Sequence, residues 1–151
     1  MDKIYEINNE TLALIPISDE ITKIYEKDST FLINKPIMNI IEHSCKYFGS
    51  SYKGRHEGTK TLIGVSHKSP IIIEESRNII YFPTTSPRLN CCSWLALNHI
   101  KDYKKKDNNT IIYFENGEVI ELEISIGSFD NQYLRATKLE SVLRKRKNIV
   151  D

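Results

Sequence analysis

The sequence has 151 residues, 40% of them apolar, and a net charge of +1. This length suits one compact domain (residues 1–151), and the apolar content argues against wholesale disorder. No apolar run is long enough to span a bilayer, no signal peptide is recognisable, and three cysteines make a poor secreted disulfide framework, so we expect a cytoplasmic protein.

The small net charge hides an uneven distribution. Residues 1–30 hold seven acidic residues and three lysines, a net charge of −4, so the rest of the chain carries +5. The cations concentrate in residues 46–60 and 135–147. Local basic patches matter more to nucleic-acid binding than the total charge does, although so small a total counts slightly against DNA binding.

The first third of the chain predicts strands and one helix. IYEINNETLALI (residues 4–15) favours a hairpin that turns at Asn8–Asn9, and Phe31–Ile33 favours a short strand. Residues 36–48 have apolar side chains at helical spacing, and Gly49 suits the residue that closes a helix. We therefore predict an amphipathic helix there.

After Gly58 the pattern changes to strands. TLIGV, PIII, NIIYFP and WLALNHI are β-branched or aromatic runs. TIIYFENGEVIELEI predicts a hairpin with Asn116–Gly117 at its turn, where both residues would take positive φ. Apolar spacing predicts a last helix near residues 129–147. The fold class is therefore α+β: mainly antiparallel strands and hairpins with helices near 36–48 and 129–147.

The stretch CKYFGSSYKGRHEG (residues 45–58) has two glycines at the spacing of a nucleotide-binding P-loop. A P-loop needs Lys and then Ser or Thr after the second glycine, whereas Arg55 and His56 follow Gly54 here. A P-loop also follows a buried strand and opens a helix, and this stretch follows a predicted helix. The sequence therefore argues against a nucleotide pocket.

The same stretch has the chemistry of a loop that holds a nucleic-acid backbone. Glycines let backbone amides approach an anion closely, and Ser50 to Tyr52 offer hydroxyl groups. Lys53, Arg55 and Lys60 supply positive charge. A solvated surface turn has a similar composition and stays an alternative.

The other candidate groups of residues give weaker indications of function. The histidines and cysteines include no C-x-x-C pair, Cys91 and Cys92 are adjacent, and Cys45 fits the apolar helix face. Neither a nucleophile signature nor a carboxylate pair stands out, so we predict no metal, no cofactor and no enzyme. Lys104–Lys106 and the basic face of the last helix are either solvated surfaces or phosphate contacts.

Six blocks in the same order resemble the ComK family, the competence transcription factors of Gram-positive bacteria. They are IYEKDSTF, SCKYFGSSYKGRHEGT, SHKSPIII, YFPTTSPRLNCCSW, FENGEVIELEIS and SFDNQYLRA. The resemblance as a whole covers residues 4–144. The resemblance implies an activator that binds double-stranded DNA at AT-rich boxes, an A-run and a T-run, in promoters of DNA-uptake genes. It also implies entry into the minor groove and binding as paired dimers, either a homodimer or a dimer of dimers.

Within the matching blocks, loop chemistry selects the candidate DNA-binding residues. The main candidates are cations, and two further residues would support contacts to the DNA backbone. The main set is Lys53, Arg55, Lys60, Lys68 and Arg88, and the supporting pair is Lys46 and Ser51.

A fainter similarity joins residues 91–125 to the strand-rich end of LytTR-type DNA-binding domains, which would move part of the contact toward Lys101 and Lys104.

Longer ComK proteins continue into a C-terminal tail that the adaptor MecA and the Clp protease recognise. This sequence, from either a trimmed chain or a short member, stops at RKRKNIVD, so that recognition is not expected here. We expect RNA polymerase as a further partner. The alternative function is a ComK-like interaction module that titrates a regulatory partner without binding DNA.

Overall fold

The computed structural model describes residues 4–148, which form nine strands and three α-helices. The strands are β1 (Thr11–Pro16), β2 (Thr22–Glu26), β3 (Thr30–Ile33), β4 (Ile71–Glu74), β5 (Ile79–Pro83), β6 (Trp94–Ala96), β7 (Ile100–Lys106), β8 (Asn109–Phe114) and β9 (Val119–Leu122). The helices are α1 (Ile37–Tyr47), α2 (Tyr52–Ile63) and α3 (Ile126–Asn148). The predicted α+β class with antiparallel sheets is confirmed.

A six-stranded antiparallel sheet, in the order β3-β2-β1-β6-β5-β4, divides the apolar core in two. On one face, the apolar side of α1 packs against the strands, with Ile40, Ile41 and Cys45 almost fully buried. Trp94, at the centre of the sheet, is fully buried on the same face. The alternation of side chains along each strand thus places two separate sets of apolar residues on the two faces.

The other face is covered by the three-stranded sheet β7-β8-β9 and by α3. Phe82 of the large sheet contacts Phe129 of α3, with ring centroids 5.8 Å apart and a steep interplanar angle. Ala136 and Leu139 of α3 are fully buried, as their helical spacing predicted. The helix begins at Ile126, three residues before the predicted start.

The predicted glycine-rich loop and the predicted strand TLIGV are wrong, because residues 52–63 form the helix α2. Ser51 caps this helix by accepting a hydrogen bond from the Gly54 N–H at 2.9 Å. Glycine is a weak helix former, but most helical stability in proteins comes from tertiary packing. Thr59 is fully buried, and Leu62 packs on the core shared with α3.

Two turn predictions need correction. A turn does occur at Asn9, but no strand precedes it among the described residues, and β1 pairs with β2 instead. In the β8–β9 hairpin only Gly117 has positive φ, at 94°. The Gly117 N–H donates to the Phe114 carbonyl oxygen at 3.0 Å, so the connection is a longer turn closed by glycine rather than a two-residue turn.

Within residues 4–148, none of the helices has the length and apolar character needed to cross a bilayer.

Candidate nucleic-acid interface

A surface groove of about 580 Å³ lies where α1, α2 and two loops meet. We call it the Lys68–Arg88 groove, after the two predicted cations that line it. Lys68 comes from the 64–70 loop, between α2 and β4, and Arg88 from the 84–93 loop, between β5 and β6. The full lining is Met38, Tyr52, His56, Ser66, His67, Lys68, Ser86, Pro87 and Arg88.

Helix α2 holds the 64–70 loop at two points. His56 Nε2 lies 3.0 Å from the Ser66 carbonyl oxygen, and Thr59 Oγ1 donates a hydrogen bond to the Pro70 carbonyl oxygen at 2.6 Å. The second bond is buried, which strengthens its effect on local rigidity. The loop therefore begins and ends at positions fixed by one helix.

Helix α3 ties the 64–70 loop to the end of β5, just before the 84–93 loop, through Gln132, which is 3% exposed. Its Nε2 donates to the Lys68 carbonyl oxygen at 2.7 Å and to the Pro83 carbonyl oxygen at 2.8 Å. Arg135 Nη1 adds a bond to the His67 carbonyl oxygen at 2.9 Å. Gln132 is thus a positioning residue that sets the separation of the two walls of the groove.

Lys68 itself occupies the left-handed region of the backbone map, with φ of 51°. This conformation is costly for residues other than glycine, and at functional sites the surrounding structure maintains it. The hydrogen bond from Gln132 to the Lys68 carbonyl oxygen provides that support. As a result, the exposed Lys68 side chain projects from a fixed backbone.

Two consecutive turns shape the tip of the 84–93 loop. The Leu89 N–H donates to the Ser86 carbonyl oxygen at 3.0 Å, and the Cys92 N–H donates to the Leu89 carbonyl oxygen at 3.2 Å. Pro87 takes the second position of the first turn, which its fixed φ favours. Arg88 follows, exposed, at the third position.

The groove is suited to an anion. Its lining has two exposed cations, and no Asp or Glu of residues 4–148 contributes to it. Ser66, Ser86 and the histidine rings add groups that can donate hydrogen bonds to phosphate oxygens. Sequence reasoning missed His56 and His67, which line the groove, and Gln132, which holds the 64–70 loop, because nothing in their local pattern indicates these positions.

The remaining sequence-predicted residues lie outside this groove. Lys46 is exposed in the last turn of α1, 3.9 Å from Glu42. Lys53 and Lys60 are exposed on α2. Ser51 caps that helix, so its hydroxyl already accepts a bond within the protein. Their contacts with DNA stay predictions.

The backbone amides at the start of α2 are engaged within the protein and do not form the predicted anion cradle. The Tyr52 N–H donates to the Glu42 carboxylate at 2.5 Å, and the Gly54 N–H is used by the Ser51 cap. A carboxylate at a helix N-terminus accepts hydrogen bonds from free N–H groups and interacts favourably with the helix dipole. This end of α2 therefore already holds an anion of the chain itself.

Arg55 differs from the other predicted cations because its side chain is half-buried between helices. Burial raises the pKa of the Cys45 thiol to about 12, and the nearby positive charge of Arg55 opposes that rise. Arg55 Nε is buried and has no hydrogen-bond partner within residues 4–148. The Nε atom of Arg55 is therefore directed toward the protein and away from solvent.

The other two basic runs are partly engaged inside the protein. Lys106 Nζ, at the end of β7, lies 3.3 Å from the Glu121 Oε1 atom on β9. Lys147, near the end of α3, donates to Asn78 Oδ1 at 2.7 Å and so ties the helix to the β4–β5 turn. Both runs are exposed and remain secondary candidates for phosphate contacts.

The family model described as ComK protein matches residues 2–148. The chain belongs to the ComK family. It is also 40% identical, over 146 residues, to the competence transcription factor of Bacillus subtilis strain 168, an alignment that covers 94% of this chain and 76% of that protein. No solved structure matches this ComK-family chain.

Proposed function

We propose that this ComK-family chain is a DNA-binding transcriptional activator of competence genes that recognises AT-rich promoter boxes. The observation that carries the proposal is the meeting of Lys68 and Arg88, without a carboxylate, in one groove. The B. subtilis relative, named a competence transcription factor, supports the same function. The proposed place of action is the cytoplasm, at the nucleoid.

The chemistry of the groove fits the DNA minor groove. A-tracts narrow the minor groove and increase its negative potential, which attracts Arg and Lys side chains. Arg88, at the tip of a turn fixed by hydrogen bonds, would enter the DNA minor groove. Lys68 would contact a flanking phosphate of the DNA backbone. Lys53 and Lys60 on α2, with Lys46 on α1, would extend phosphate contacts beyond the Lys68–Arg88 groove.

Binding as a homodimer or dimer of dimers, and contact with RNA polymerase, belong to the same proposal. Repeated AT-rich boxes on one duplex suit a protein with more than one copy of the reading surface. One groove per chain would then correspond to one box.

Fluorescence anisotropy tests the proposal with a labelled duplex that carries an A-run and a T-run and with a GC-substituted duplex as control. We expect selective binding to the AT-rich duplex that weakens with salt, with a log–log slope of about −0.9 per phosphate contact. Equal binding to both duplexes would contradict sequence recognition. Failure to bind either would favour an interaction module that titrates a protein partner.

Lys68→Gly separates the role of this residue in the fold from its role in binding. Glycine adopts positive φ without strain, so the free energy of unfolding should equal that of the wild type or exceed it by up to ~1 kcal/mol. The affinity for the AT-rich duplex should fall about tenfold, because one phosphate contact is lost. Urea unfolding and anisotropy on the same preparation measure both quantities. A variant that unfolds more easily and binds normally would assign Lys68 to the fold alone.

A further inference from the structure

Leu89 is a large apolar side chain at the tip of the 84–93 loop, and 53% of it is exposed. It follows Arg88 directly, so an apolar group and a cation project from the same short turn. Its N–H and its carbonyl oxygen are both used in the two consecutive turns described above. The leucine is therefore presented to solvent by a constrained backbone and is not an incidental residue of a loose loop.

The loop below Leu89 is anchored firmly in the large sheet. The Thr84 N–H donates to the Ser93 carbonyl oxygen at 2.9 Å, and the Ser93 N–H donates to Thr84 Oγ1 at 3.0 Å. Both residues are buried, and Trp94 follows in β6. Contact of DNA with the tip of the loop would therefore be resisted by the buried residues that anchor it.

We infer that Leu89 acts as a wedge that enters a base-pair step from the minor groove, while Arg88 lies in the minor groove beside it and Lys68 holds a flanking phosphate. This inference rests on the proposed function, and it adds deformation of the DNA to simple binding. Minor-groove proteins insert apolar side chains such as leucine between base pairs, which unstacks the step and kinks the duplex toward the major groove. Cations next to the wedge are required because they keep the bent backbone in contact with the protein.

A wedge would also contribute to the preference for AT-rich boxes. Pyrimidine–purine steps such as TA are easily unstacked and kinked, whereas the A-run and the T-run are themselves stiff, so the wedge would favour boxes with a TA step outside the two runs. Discrimination of this kind needs no hydrogen bond to a base edge. It would act in addition to the attraction of Arg88 to a narrow minor groove.

The test uses an AT-rich duplex with 2-aminopurine in place of adenine at successive positions, because its fluorescence rises when the base is unstacked. Bending is followed on a second duplex by energy transfer between dyes at its two ends. With wild-type protein we expect fluorescence to rise at one position and the ends to approach. Leu89→Ala should abolish both signals and lower the affinity about tenfold, and Leu89→Phe should retain both.

Val119→Ala is the matched control, since Val119 is 52% exposed and lies on β9, outside the groove. It should bind, unstack and bend as the wild type does. If the wild type selects the AT-rich duplex but neither unstacks nor bends it, the wedge is wrong and the proposed function stands. If Leu89→Ala unstacks and bends as the wild type does, the wedge is also wrong, and Leu89 would be assigned to a protein contact. Absence of AT-selective binding by the wild type would overturn both proposals.

Discussion

Replacement of both Lys68 and Arg88 by alanine should lower the affinity for an AT-rich duplex by about 100-fold, close to 3 kcal/mol of binding free energy. Both side chains are exposed, so the fold should not change. Loss of two cations that displace counterions from the DNA should also make the salt dependence less steep, by about 2 in the log–log slope. Anisotropy at several salt concentrations measures both effects in one experiment.

Lys101→Ala combined with Lys105→Ala is the charge-matched control, because both lysines are exposed on β7, in the small sheet. The control removes two positive charges and should reduce affinity only slightly, through the weaker overall field of the protein. It also tests the LytTR-like hypothesis, which assigns contacts to this part of the chain. A larger loss with the control than with the groove variant would move the interface to the small sheet.

Gln132→Leu should lower the free energy of unfolding by about 3 kcal/mol, because one buried and one partly buried carbonyl group lose their donor. These are the carbonyls of Lys68 and Pro83, at 2.7 and 2.8 Å from Gln132 Nε2. Leucine has a similar volume, so the change mainly removes hydrogen bonds and not packing. With the 64–70 loop released, the affinity for DNA should fall as well, even where the variant is still fully folded.

Urea unfolding measures the first effect of Gln132→Leu, and anisotropy at low temperature measures the second. Asn131→Leu is the control, because Asn131 is the exposed neighbour on the same helix. It should keep both stability and affinity near the wild-type values. Wild-type affinity in a destabilised but folded Gln132→Leu protein would show that Gln132 supports the fold without positioning the groove.

Elements with strong local patterns could be predicted from the sequence. Helix α1 has an apolar stripe, β4 and β5 are β-branched runs around a polar turn, and the β8–β9 hairpin has a glycine where positive φ is needed. In each case the side chains that determine the element lie within it. For these elements, the local sequence pattern therefore agrees with the structure.

Helix α2 could not be predicted because its stability comes from distant contacts. It contains two glycines and has little apolar periodicity of its own, which resembles a loop. Packing on β4 and α3 and the Glu42 carboxylate from α1 hold it in place. Interactions of this kind are set by the tertiary fold, which outweighs local propensity.

The site was predicted only in part for a similar reason. Lys68 and Arg88 were selected one by one from two blocks that resemble the ComK family, and their meeting in one groove depends on the β4–β5 hairpin. Gln132, which joins the 64–70 loop to the end of β5, is 64 residues from Lys68 in sequence. A buried glutamine in a helix gives no local sign of that role.

Lysine acetylation followed by mass spectrometry, with and without the AT-rich duplex, tests the location of the interface most directly. We expect DNA to protect Lys68 strongly and to leave Lys101 and Lys105 on β7 as reactive as in the free protein. Partial protection of Lys53 and Lys60 would extend the footprint along α2. Full reactivity of Lys68 in the complex, with protection of the β7 lysines, would contradict the assignment of the Lys68–Arg88 groove as the surface that binds DNA.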